Sequence, residues 1–397
     1  MDSLFFTRNR QRLSEIVMQH PAAFSANSLI QSQGDSAATC VQESNFWWLT
    51  GIEEPDWILV IEGSQSYLIA PDIDEIHRIF DGSLTNDEAR NISGVDEVIT
   101  SDEGKELLVR LAALHGTVFS LGKDPSARQY GFRLNPGPVN FLTSLNRVFE
   151  DVKDCRIDLA RLRAIKQPQE VDMIRSAVEL TIDAFNHAKE SIASYDFEYE
   201  VEADFTHRFR RSGAKGHAYD PIVAASKNAC TLHYIKNDAQ LKSGDLLLLD
   251  IGARVGGYAA DITRTYAIGN VSDRHKAVHA AVENAHRKII ALLGPGVSVK
   301  QYSEDVDVIM KDAIAELGLL KQDSDYRKYF PHAISHGLGV DVHDSLGGPE
   351  AFLTGMVLTV EPGIYIPEES IGVRIEDDIL ITETGHENLS GRLPISL

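Results

Sequence analysis

Apolar, strand-like runs with acids embedded in them dominate the second half of the chain. Leu246–Ile268 reads LLLLDIGARVGGYAADITRTYAI, two apolar arms around Arg254–Gly257 with Asp250 deep in one arm and Asp261 in the other. A two-residue turn at Val255 and Gly256 predicts that residues whose numbers sum to 511 face each other, and this pair meets that sum. Opposed residues have Cβ atoms about 4.5–5.5 Å apart. Unpaired carboxylates so close in an apolar sheet repel each other and are costly to desolvate. Two readings of this stretch stay open. Either a cation compensates the pair, a divalent metal pair being the obvious candidate, or the register slips and turns one Asp to solvent.

The same pattern returns near the C-terminus. Met356–Ile366 (MVLTVEPGIYI) and Ile371–Thr382 (IGVRIEDDILIT) read as arms around Pro367–Ser370. Glu361 and Glu376 lie at matching depths, on a register sum of 737. Acids are disfavoured in such strands, and two pairs built alike are much less easily accidental than one. Between the hairpins, PHAISHGLGVDVHD supplies His332, His336 and His343. One imidazole with four carboxylates is a hard, oxygen-rich donor set. It favours two ions such as Mn²⁺, with Zn²⁺ or Co²⁺ as alternatives, over a thiolate zinc site. Two ions about 3.5–4 Å apart can share an activated water and polarise a carbonyl, which is hydrolytic chemistry.

Elsewhere the pattern predicts an amphipathic helix at Thr7–His20 and short strands at Ala22–Ser25, Phe46–Leu49, Trp57–Ile61 and Ser66–Ile69. A helix at Glu103–Leu114, a strand at Thr117–Leu121 and a helix at Val139–Val148 follow. Pro168 suits the first turn of a long helix running to about Ser191. Further helices are expected at Val201–Ser212, Ser272–Leu293 and Val299–Leu317, and a strand at Ala218–Ala224. The chain reads as α/β (α+β), with an N-terminal domain over 1–165 and a catalytic domain over 166–397. The length of 397 residues is enough for both.

Composition narrows the partners. The net charge of −21 argues against nucleic acid or an anionic membrane as the main partner. No signal peptide is evident after Met1, and no apolar run approaches the roughly 20 residues of a membrane helix. Cys40, Cys155 and Cys230 are scattered and odd in number, which suits a reducing cytoplasm.

LLLLDIGARVGGYAADITRTY, HAISHGLGVDVHD, LTVEPGIYI and GVRIEDDILIT together resemble the metallopeptidase superfamily of methionine aminopeptidase, prolidase and aminopeptidase P, the M24 family with its pita-bread fold. FWWLTGIEEPD and ITETGHENLS are similar to the bacterial aminopeptidase P branch, although Asn45 stands where that branch often has Asp. The resemblance implies that Asp250, Asp261, His336, Glu361 and Glu376 bind two Mn²⁺ ions, with Asp261 and Glu376 bridging them. It implies a bridging hydroxide that attacks the Xaa–Pro carbonyl, and Glu361 as the proton shuttle. His233 and His343 would flank the substrate, His332 would hold the proline end, and Arg374 would steady ligands from behind. Tyr219 is a candidate for the substrate pocket and equally for packing. The implied partner is a peptide with proline second, and the implied assembly a homodimer or homotetramer. A prolidase restricted to dipeptides uses the same metals. A metal-free binding protein on the same fold is the more remote alternative, since such relatives lose ligands and here all five are present. Methionine aminopeptidase would leave the N-terminal domain unexplained.

Overall fold

The computed structural model describes residues 1–397, the side chains of Ser126 and Arg128 excepted. The chain divides into two compact units, Met1–Leu162 and Arg163–Leu397.

The first unit is built on a six-stranded mixed sheet. Its spatial order is Glu97–Ile99, Gln65–Ile69, Ile58–Glu62, Ala22–Ser25, Thr117–Ser120 and Asp151–Asp154. The antiparallel pairs centre on Ile58–Glu62, and the flanking pairs are parallel. Helices Ser101–His115 and Pro136–Val148 contribute Leu107, Leu111, Phe141 and Leu145 to a core shared with Ala23, Val60 and Val118. One expected strand is a helix. Ser44–Thr50, which contains Phe46–Leu49, is helical because the Glu43 side chain caps the Phe46 N–H at 2.6 Å. Gly51, at φ +71°, closes the helix. Phe46, Trp47, Trp48 and Leu49 are all buried, and a run apolar on every side carries no period to separate helix from strand. Asn45 is buried too, its amide donating to Glu43.

The second unit pairs helices with hairpins twice. Helices Pro168–Ser191 and Glu198–Arg211 pack together, as do Asp273–Ile290 and Val299–Glu316. The second pair buries Val278, Val282, Met310 and Ile314 against Leu358, Val360, Val373 and Ile379 of the C-terminal hairpin. Burying each such side chain contributes about 1.5–3 kcal/mol before conformational entropy is set against it.

The hairpins meet the expected registers differently. In the first, Leu246–Asp250 pairs antiparallel with Thr263–Ala267, and Ala253–Val255 with Tyr258–Ala259, so paired numbers sum to 513 rather than 511. Gly256 and Gly257, at φ +55° and +87°, make the turn. A β-branched valine resists the positive φ that this tight turn needs at both central positions. Asp250 therefore faces Thr263, not Asp261. A shift of two leaves every side chain on its original face, and Asp261 still points where Asp250 points. In the second hairpin both ladders, Val357–Val360 with Asp377–Ile381 and Gly363–Ile366 with Ile371–Arg374, keep the sum of 737. The arms break between them at Glu361-Pro362, where proline has no N–H to give. There the Glu376 N–H donates to the Thr263 carbonyl at 3.0 Å and joins the two hairpins.

Candidate metal centre

That junction brings the acids of both hairpins together. The Tyr219 hydroxyl lies 2.6 Å from Oδ1 of both Asp250 and Asp261. The Asp261 N–H turns away from the ladder and donates to Oδ2 of Asp378 at 3.1 Å. From the second hairpin, Glu376 accepts the Thr263 hydroxyl at 2.6 Å, and Glu361 is anchored by its N–H to the Ile334 carbonyl at 3.0 Å. His336 comes from the segment between the hairpins. Its N–H donates to Thr359 Oγ1 at 3.1 Å, and its Nδ1 lies 3.0 Å from the Gly337 carbonyl, which makes Nδ1 the protonated nitrogen. Nε2 is then left facing Asp261 Oδ2 and Glu361 Oε1, each at 3.5 Å. One donor atom from each of Asp261, His336 and Glu376 lies within 4.8 Å of the others.

Arg374 sits behind the acids. Its guanidinium touches Asp250 Oδ2, donates to Thr263 Oγ1 at 3.2 Å and reaches the Tyr365 hydroxyl at 2.9 Å. The Tyr365 oxygen also lies 2.9 Å from His332 Nε2, while His332 Nδ1 is 2.7 Å from the Ala333 carbonyl. One proton arrangement satisfies this chain: Arg374 donates to Tyr365, Tyr365 to Nε2, and Nδ1–H to Ala333. His343 packs its ring against His336, centroids 4.2 Å apart. His233 lies on an exposed turn, near enough for its charge to lower the pKa values of His332 and His343.

Charge in this cluster is out of balance. Burial raises Asp250, with Arg374 opposing and Asp261 reinforcing. Burial likewise pushes Glu361 up to about 7 against the pull of His336 and Arg374. Glu376 is driven well above the carboxylate range by burial and by Asp261 and Glu361. For His336 burial works downward, but the Asp261 hydrogen bond and the charges of Asp261 and Glu361 outweigh it and raise the ring to about 9. Burial and the Arg374 charge lower His332 to about 4, which keeps it neutral. Four carboxylates thus share a buried space with one guanidinium and one imidazole. The residues fit hard divalent cations: oxygen donors in excess, an imidazole whose Nε2 faces the acids, and negative charge that only protons or metal can relieve.

Every residue expected at the site lies in this region, with His233 outermost. Three partners were not foreseen. Thr263 and Tyr365 stand two and four residues beyond Asp261 and Glu361, and strand alternation would have put both on the site face. Asp378, fully buried against the Asp261 backbone, stands two residues beyond Glu376, so alternation puts it on the site face as well.

Acids gathered from two joined hairpins, with an imidazole from the segment between them, make a centre suited to metal-dependent hydrolysis. Residues 172–383 match the model of Metallopeptidase family M24, and residues 6–119 that of the Aminopeptidase P, N-terminal domain. The chain therefore belongs to the M24 metallopeptidases, with the aminopeptidase P type of N-terminal domain before a pita-bread catalytic domain. It is 35% identical to the Xaa-Pro aminopeptidase of Escherichia coli, over 97% of this chain and 94% of that one. It is 32% identical to human Xaa-Pro aminopeptidase 3, over 96% and 78%. The structure of E. coli aminopeptidase P with the inhibitor Pro-Leu superposes with a TM-score of 0.87 at 33% identity, covering 99% of this chain and 96% of that one.

Proposed function

We propose that the chain is a metal-dependent exopeptidase that releases the N-terminal residue of peptides whose second residue is proline. The observation that carries this reading is the convergence of Asp250, Asp261, His336, Glu361 and Glu376 at the junction of the hairpins. Similarity to Xaa-Pro aminopeptidases over nearly the whole chain supports the bond specificity. Asp250 would hold one ion, His336 and Glu361 the other, and Asp261 and Glu376 both. Bound there, two divalent ions, Mn²⁺ first and Zn²⁺ or Co²⁺ as alternatives, supply an activated water and Lewis acidity at the scissile carbonyl.

The chain's own groups do the rest. Glu361 takes the proton of the attacking water and passes it to the leaving proline nitrogen. His343 and His233, at the open side, donate hydrogen bonds to the carbonyl oxygen as its charge develops. His332, neutral and packed edge-on against Phe330 at 4.8 Å, offers a ring face to the pyrrolidine. Arg374 and Tyr219 fix the carboxylates from behind. Proline's tertiary amide and fixed φ explain why a dedicated pocket is needed.

The three free cysteines support a reducing compartment, the cytoplasm. No helix among the described residues is long and apolar enough to cross a membrane. A homodimer or homotetramer completes the reading, and light scattering reads it directly. The deciding experiment offers the Mn²⁺-loaded protein Gly-Pro beside an Xaa-Pro-Yaa tripeptide. Cleavage of the tripeptide is expected. Turnover of the dipeptide alone would make the protein a prolidase, and turnover of neither would refute the peptidase.

A further inference from the structure

The loop after His336 is held from its far end. Asp344 is buried, and its N–H donates to the Gly337 carbonyl at 2.8 Å. That same carbonyl receives Nδ1 of His336 at 3.0 Å. The Asp344 carboxylate in turn meets two buried cations from the start of this unit. Oδ1 lies 3.0 Å from Arg163 Nη2, and Oδ2 lies 3.4 Å from Lys166 Nζ. Arg163 also holds Asp341 Oδ2 at 2.6 Å, so two acids of the loop and two bases balance. The loop closes tightly around this carboxylate. A Cβ on Gly339 would lie 2.1 Å from Asp344 Oδ2, and one on Gly337 would lie 2.2 Å from the Asp344 carbonyl. His343 is the residue immediately before Asp344, so the clamp also sets where its backbone runs.

We propose that Asp344, clamped by Arg163 and Lys166, is a positioning residue for His336 and His343. The path is short: the ion pairs fix Asp344, Asp344 fixes the Gly337 carbonyl, and that carbonyl holds Nδ1–H so that Nε2 faces Asp261 and Glu361. Partners behind a metal-ligating imidazole orient it and tune its basicity, and their loss costs about 10–100-fold in metal affinity or activity. This inference rests on the metal-centre reading above.

The test uses the full chain as wild type, Asp344→Asn and Lys166→Met. Mn²⁺ affinity is measured by competition with a fluorescent chelator, and kcat and KM on an Xaa-Pro-Yaa tripeptide at saturating Mn²⁺. Asp344→Asn is expected to weaken one Mn²⁺ site about 10–100-fold and to lower kcat by a similar factor with KM nearly unchanged. Lys166→Met is expected to shift both in the same direction by less. A purely structural clamp would lower Tm alone, so a folded Asp344→Asn with wild-type Mn²⁺ affinity and kcat overturns the proposal. If Asp344→Asn does not fold, Lys166→Met decides in the same way: weakened Mn²⁺ binding supports the clamp and unchanged binding overturns it. A wild type that binds no Mn²⁺ would instead sink the metal-centre reading itself.

Discussion

The two hairpins of the second unit carry the same device on different foundations. In the first, the expected register was two residues out, because glycines 256 and 257 rather than Val255 and Gly256 occupy the turn. In the second, the expected register held in both ladders, across a turn closed by Ser370 in the left-handed region at φ +57°. Yet the acids meet in both cases. Strand alternation has a period of two, so an error of two residues changes which residues are opposite but not which face they occupy. Facing is the property the site depends on, and exact opposition is not.

The largest expected effects test whether the hairpins contribute equally. Asp261→Ala and Glu376→Ala should each lower kcat/KM by roughly 10³-fold or more, since each would remove a ligand proposed to serve both ions. Circular dichroism should remain that of a folded protein. Retained activity in either variant would remove that hairpin from the centre.

Next come Tyr219, which touches the first hairpin's acids, and His343, proposed to face the substrate. Tyr219→Phe removes the hydroxyl shared by Asp250 and Asp261, and about a 10-fold loss of Mn²⁺ affinity is expected by chelator competition. His343→Ala should keep the metal content near normal while lowering kcat; loss of metal would make it a ligand.

The pH dependence ties both hairpins to one charge cluster. In the metal-free protein Glu361 titrates near 7, above its unfolded value, and His336 near 9, also above its unfolded value. Each group binds its proton more tightly folded than unfolded. Their contribution to stability is therefore present at low pH. It is lost as pH rises, through 7 for Glu361 and through 9 for His336. Metal displaces those protons, so the gain in Tm on adding Mn²⁺ should grow from pH 6 to pH 9. A gain that is flat or shrinks with pH would mean that these groups do not bind the ions.

The smallest effects concern the turns. Gly257→Ala places a Cβ at φ +87° and should cost roughly 1–2 kcal/mol by thermal unfolding. Ser370→Gly relieves a similar conformation at φ +57° and should be neutral or mildly stabilising. Equal and opposite outcomes would invert the account of why the registers differ.

How far the chain could be read in advance follows from the same physics. The long helices, the second hairpin and the acids at its centre were legible because period and turn chemistry agreed there. The helix at Ser44–Thr50 was not, since Phe46 to Leu49 are buried on all sides and its signal lies in the Glu43 cap and Gly51. Tyr365, Thr263 and Asp378 are legible from strand alternation, each an even number of residues from a ligand candidate. The clamp of Arg163, Lys166 and Asp344 was out of reach. It joins charges about 180 residues apart, and nothing in a linear pattern pairs them.

The central claim is that the two hairpins together build one two-ion site, with Asp250 serving a single ion. Mn²⁺ stoichiometry of the wild type and of Asp250→Ala, measured by equilibrium dialysis at micromolar Mn²⁺, tests it most directly. Two ions per chain are expected in the wild type and one in the variant. A wild type that binds fewer than two, or a variant that retains both, would contradict it.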